Sequence, residues 1–169
     1  MAQKFLTNNA GQIKEVEATV TSAGAGDSGK VPALDTDGRL NSSVMPSGFG
    51  AEVKVVAASE NLAAGDFVNL HVSTGLKVRK ADASNPAKFA VGYVLAAVTS
   101  GQNATIYYGN LNSQVSGLTA GDVLYLSGST AGGVTATAPS TSGHIIQRLG
   151  VATSTTEILV EIQQPIELA

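Results

Sequence analysis

Two Gly-Asp dipeptides, Gly65-Asp66 and Gly121-Asp122, come nearest in type and placement to a paired-carboxylate centre. Each closes a related run, Leu62-Ala63-Ala64-Gly65-Asp66 and Leu118-Thr119-Ala120-Gly121-Asp122, at an offset of 56 residues. Carboxylates that divide acid and base work need environments that push their pKa values apart. A repeated motif gives both Asp residues a similar one. Glycine with positive φ, followed by an Asp that accepts from nearby backbone amides, is instead the chemistry of a turn entering a strand. Gly65, Asp66, Gly121 and Asp122 are therefore read as structural turns, and no catalytic residue is assigned.

A second pattern, Gly24-Ala25-Gly26-Asp27-Ser28-Gly29-Lys30, matches the G-x-x-x-x-G-K spacing of a phosphate-binding loop. It fails at the following residues. Val31 stands where Ser or Thr should hold magnesium, and Pro32 disfavours helical backbone at Val31, where the phosphate-binding helix should begin. His71 and His144 are isolated, with no cysteine in the chain and no carboxylate at ligand spacing, so neither a metal nor a cofactor is expected. Serine is abundant, but no Gly-x-Ser-x-Gly elbow joins a His and an acid. Tyr107, Tyr108 and Tyr125 suit either a stacking platform for a base or sugar or contacts in a core or interface.

The elements that must position these residues read as all-β. The repeat continues from Phe67–Leu70/Val123–Leu126 to Val78/Val134, and then, at an offset of 58, from Val91–Val94 to Leu149–Ala152. Two copies are too few for a solenoid, so two similar β half-units, about 60–108 and 116–163, are expected to share one core. Strands are expected at Val53–Ala58, Asp66–Val72, Leu76–Ala81, Phe89–Val98 and Thr105–Tyr108. The second copy repeats the layout at Val123–Ser127, Val134–Thr137, Ile145–Ala152 and Glu157–Gln163. The strand Phe89–Val98 is apolar on both faces, which places it centrally or at a subunit interface through Phe89, Val91, Tyr93 and Leu95. Ile166 and Leu168 in the tail join that expected oligomer interface.

Composition narrows the function classes. Gly, Ala, Ser, Thr and Val dominate, only 14% of residues are charged, and Trp and Cys are absent. Nine of the ten basic residues precede Phe89, where nine acidic residues balance them; beyond it only Arg148 faces Asp122, Glu157, Glu161 and Glu167. A nucleic-acid binder shows a basic stripe, so nucleic acid is not an expected partner. Lys77, Arg79, Lys80 and Lys88 form the one local basic cluster, suited to an acidic protein surface or to plain solvation. The first residues carry no continuous apolar run and no segment approaches a membrane span, so a soluble, unexported chain is expected.

Residues 1–50 differ from the rest. They hold one stretch of alternation, Glu15–Val20, followed by linker-like Ser22–Gly29 and an Asp37-Gly38 turn. So few large apolar residues cannot bury a core. The segment is expected to be an extended arm, ordered where another surface receives it, with the main domain at 51–169.

The stretch Gly29-Lys30-Val31-Pro32-Ala33-Leu34-Asp35-Thr36-Asp37-Gly38-Arg39-Leu40-Asn41-Ser42-Ser43-Val44-Met45-Pro46 resembles a G-K-x-x-A-L-D-x-x-G-[KR]-L-[DN]-x-S-x-x-P segment of tailed-bacteriophage structural proteins. Leu118–Leu126, with Gly132-Gly133-Val134-Thr135 and Arg148–Ala152, is similar to the repeated β module of phage head-decoration (capsid cement) and head-fibre proteins. The resemblance implies a compact β-barrel, tulip- or sandwich-like, usually a homotrimer, seated on the outer capsid surface of the virion after synthesis in the host bacterial cytoplasm. The implied partner is the major capsid protein, with no small-molecule substrate and no membrane. An extended N-terminal arm in such proteins reaches between capsomers, and Phe5, Leu6, Leu34, Leu40, Val44, Met45 and Phe49 are its best anchors here. The alternative within the same virion class is a fibre or tail-tip protein binding a host receptor or glycan.

Overall fold

The computed structural model describes residues 3–45 and 52–169, and the chain divides into two units, Met1–Gly50 and Ala51–Ala169. In the first, β1 (Lys4–Asn9) pairs antiparallel with β2 (Gln12–Glu17). Ala10 and Gly11 turn the hairpin with φ of 52° and 84°, the double left-handed geometry that matches strand twist. The Asn8 side chain accepts the Gly11 N–H at 2.9 Å. Phe5 and Val16 face each other, half-buried, whereas Leu6 and Ile13 are 72% and 74% exposed. Short 3-10 turns at Gly24–Asp27 and Ser42–Val44 and single bridges at Thr19↔Pro32 and Leu34↔Leu40 complete the unit. Backbone pairing thus folds back a segment expected to be extended. Ala33 is its one buried apolar residue among the described ones.

The second unit is built from antiparallel sheets. Strands β3 (Val53–Ala57), β4 (Phe67–Ser73), β5 (Gly75–Lys80), β6 (Gly92–Tyr93) and β7 (Asn103–Tyr107) form a first sheet in the order β5-β4-β6-β7-β3. Strands β8 (Asn110–Asn112), β9 (Val123–Leu126), β10 (Val134–Thr135), β12 (Arg148–Ala152) and β13 (Ile158–Val160) form a second in the order β10-β9-β12-β13-β8. Apart from both sheets, β11 (Ile145–Ile146) pairs with β14 (Ile166–Glu167). The two five-stranded orders match strand for strand, and registers match as well. Leu70↔Val78 corresponds to Leu126↔Val134 at an offset of 56, and Phe67↔Tyr93 to Val123↔Val151.

Two apolar clusters hold this unit together. One gathers Phe67, Tyr93 and Ala90 of the first half with Leu124, Leu126, Leu149 and Ile158 of the second, so both sheets contribute to it. The other, Val56, Leu62, Val68, Val78, Val94 and Ile106, belongs to the first sheet and its connections alone. Neither sheet closes into a barrel. In the first, a single parallel bridge, Ala58↔Val78, joins the two edge strands, and one bridge is not a ladder.

Two expected strands are broken, and the Gln147 side chain, which belongs to one, meets the backbone of the other. Phe89–Val98 retains only the two residues of β6, and Ile145–Ala152 splits at Gln147. The buried Gln147 side chain accepts the Ala90 N–H at 2.7 Å and donates to the carbonyls of Ala90 and Gln163 at 2.9 and 3.0 Å. A side-chain amide here replaces a backbone ladder, which period-2 patterning does not reveal. Tyr93, expected at an oligomer interface, is fully buried in its own unit. Its hydroxyl oxygen lies 2.8 and 3.0 Å from the carbonyl oxygens of Gly109 and Leu111, which share its one proton.

Candidate functional site

The two Gly-Asp turns repeat one backbone pattern. Gly65 and Gly121 take φ of 87° and 92°. Gly65 donates to the Val94 carbonyl and Gly121 to Ala152, while Val94 and Ala152 donate back to the Asp66 and Asp122 carbonyls. The side chains then differ. Asp66 Oδ2 accepts the Ala63 N–H at 2.7 Å and meets Lys80 Nζ at 3.2 Å; among the described residues, Asp122 makes no side-chain hydrogen bond. Asp66 is thus committed to its turn and an ion pair, so the two carboxylates stand in different environments although their backbone turns are alike.

Ser59 and His71 form the arrangement nearest to a nucleophile and base. Ser59 Oγ lies 2.9 Å from His71 Nε2 and also donates to the Val78 carbonyl at 3.1 Å. A hydroxyl has one proton. With that proton on Val78, His71 donates to Ser59; with it on His71, the Val78 carbonyl loses this bond, so two acceptors compete for the one proton. The Gly24–Lys30 segment likewise turns inward. Lys30 Nζ donates to Asp27 Oδ1 at 2.6 Å, and Asp27 Oδ2 accepts from the Ala23 amide. That lysine contact, reinforced by the amide, holds the Asp27 carboxyl below the usual carboxylate range. The cation a phosphate would need is already neutralised by the loop's own acid.

The basic cluster is also partly consumed. Arg79 donates to Asn69 Oδ1 and the Ala87 carbonyl, and Lys80 pairs with Asp66. The tyrosines do not share a platform. Tyr107 stacks on Tyr93 with ring centroids 5.6 Å apart and packs on the shared cluster. Tyr108 packs on the first-sheet cluster, and Tyr125 stands in β9 opposite Arg148 and Thr135. Burial first, and neighbouring Tyr107 second, raise the Tyr93 hydroxyl above its ordinary pKa; burial and then Glu52 do the same for Tyr108.

The remaining expected contact residues fall in two places. In the first unit Leu6 is bare, Leu34 and Leu40 bridge each other while staying about half exposed, and Val44 and Met45 are half-buried at the second 3-10 turn. Phe49 lies outside the described residues. In the second unit a groove of about 310 Å³ brings Phe89 and Val91 against Tyr108, Ile162 and Pro165. Leu95 instead packs on the shared cluster. Ile166 and Leu168 leave the groove for β11, where Leu168 donates to the His144 carbonyl and Ile166 keeps its side chain in solvent. Gln147, the groove's polar floor, has no motif that would reveal it.

Among the described residues no group of three His, Asp or Glu side chains is placed to hold a metal ion, and no helix is long and apolar enough to cross a membrane. No protein-family model matches the chain, and no curated protein matches it.

Proposed function

We propose that this chain is a non-enzymatic structural protein of a tailed-phage virion, which decorates and stabilises the outer capsid surface by binding the major capsid protein. The observation that carries the proposal is the imbalance of the first unit. Leu6, Ile13, Val31, Leu34 and Leu40 stand exposed, and only Ala33 is buried among its described residues. Such a segment gains its apolar burial from a partner, and a partner present only in the assembled shell stabilises that shell by mass action. The hairpin's two outer edges also carry unpaired backbone groups able to extend a neighbouring sheet. The resemblance of Gly29–Pro46 and of the 118–152 region to phage head proteins supplies the partner class. The second unit, on this proposal, is two copies of one β unit, supported by their shared strand order and register.

Removal of residues 2–48 is expected to leave a folded second unit, since both of its apolar clusters lie within it. Co-sedimentation of that variant with capsids of the virus that encodes the chain should fall by at least about tenfold in affinity. Unchanged binding would overturn the role given to the first unit. Density confined to the tail in electron cryo-microscopy of the particles would overturn the capsid assignment and favour the fibre alternative.

A further inference from the structure

The 56-residue offset sets Glu60, Asp66 and Lys80 of the first half against Ser116, Asp122 and Ala136 of the second. In the first half these residues are joined. Lys80 Nζ lies 3.2 Å from Asp66 Oδ2, and Glu60 Oε1 accepts the Lys80 N–H at 2.7 Å. In the second half only the carboxylate is kept. Ser116 and Ala136 stand where the first half has two long side chains, and with Asp122 they line a pocket of about 300 Å³. That is about ten times the share of liquid volume of one water, about 30 Å³.

The pocket has walls of two kinds. Leu118, Leu124 and Val134 are apolar, while Ser116 and Thr119 bring hydroxyl groups to the side of the carboxylate. Among the described residues Asp122 forms no ion pair, and the one basic residue beyond Phe89, Arg148, is drawn to Glu161 at 3.4 Å. The second half therefore has no cation of its own for this carboxylate. An amphipathic cation matches such walls: its alkyl stem lies along the apolar side chains, and the three donors of an ammonium reach carboxylate and hydroxyl oxygens. A calcium ion takes six to eight oxygen ligands, and this pocket has a single carboxylate. The first half shows which cation the turn accepts, because Asp66 there holds a lysine.

We infer that the Asp122 pocket receives the ammonium end of a lysine side chain from a partner protein, in the place that Lys80 fills in the first half. The partner is defined by that lysine alone, so the inference stands apart from the capsid assignment.

Nuclear magnetic resonance of the full chain tests it, with titrations at constant ionic strength of Nα-acetyl-lysine N-methylamide and, separately, n-butylammonium chloride. Saturable shifts are expected at the Asp122 carboxyl carbon and at the Thr119 and Ala136 amides. Tetramethylammonium chloride, a cation without N–H donors, should shift them at least about threefold less. The Asp66 carboxyl carbon, already paired, should hardly move. Asp122→Asn should abolish the response, with circular dichroism to check its fold. If that variant does not fold, Ala136→Lys takes its place: it supplies an ammonium from within the chain and should weaken uptake of either amine at least about tenfold. No saturable shift with either amine, an equal response to tetramethylammonium or at Asp66, or an undiminished response in a folded variant would each overturn the inference. A response to n-butylammonium but not to the lysine derivative would give the pocket to a small free amine and overturn the assignment to a protein lysine.

Discussion

The two five-stranded sheets of the second unit carry one strand order and one register, yet they do different things with them. In the first sheet the cross-strand row Val53, Tyr107, Tyr93 and Phe67 is mostly aromatic and supplies the shared cluster. In the second the corresponding row, Leu111, Leu159, Val151 and Val123, is aliphatic, smaller and open to solvent. Equivalent backbone positions therefore do not have equivalent burial, because two layers stacked in one direction leave one outer face uncovered. The difference separates what β pairing dictates from what layer packing dictates: pairing sets which residues are neighbours, and packing sets which of those neighbours hold energy.

The widest expected gap is at the ends of the two rows. Phe67→Ala should cost about 3–5 kcal/mol by removing a fully buried ring that lies 5.9 Å from Tyr93, centroid to centroid. Val123→Ala, its solvent-facing counterpart, should stay within about 0.5 kcal/mol in dilute solution. Urea titration of both variants measures the gap, and similar losses would mean the two rows are packed alike.

A smaller difference is expected at the paired turn glycines. Both need left-handed backbone, which costs an alanine about 1–2 kcal/mol. A Cβ on Gly65 would also lie 2.0 Å from the Gln114 carbonyl oxygen, while one on Gly121 meets nothing within 4 Å. Gly65→Ala should therefore melt well below Gly121→Ala in calorimetry, and equal melting temperatures would show that Gln114 yields without cost.

The smallest effect concerns Tyr93, whose counterpart Val151 cannot titrate. Its pKa is raised in the folded state, so the proton it holds contributes stability that is fully present below the ordinary tyrosine value, about 10, and is lost as pH rises through the folded value. Chemical denaturation between pH 9 and pH 11, an interval of about two units around that ordinary value, should show stability falling less steeply in Tyr93→Phe than in wild type. Identical slopes would place the lost protons on other groups.

Much of the β reading was legible because period-2 alternation and Gly-Asp turns are local signals. β4, β5, β9 and the turns at Gly65 and Gly121 fall where the residues place them. The hairpin of the first unit was not legible, since Lys4–Asn9 alternates weakly and its turn uses Ala10 in a left-handed conformation that alanine seldom adopts. Tyr93 was legible as part of a strand either central or at a subunit interface, but the choice between the two was not, because alternation says which side chains share a face and not which layer covers that face. Gln147 was misread as strand interior because its partners, Ala90 and Gln163, lie far off in sequence.

By itself the sequence determined the all-β class, the repeat that pairs one Gly-Asp turn with the other, and the poverty of large apolar residues before residue 50, since each is a matter of local residue type and spacing. Only the tertiary structure decided that Asp66 is spent on Ala63 and Lys80, that the Ser59 hydroxyl sits between His71 and the Val78 carbonyl, and that one of two equivalent rows is buried while the other faces solvent. The reason is physical: hydrogen-bond partners and covering layers come from residues distant along the chain, and no local pattern encodes which of them arrives.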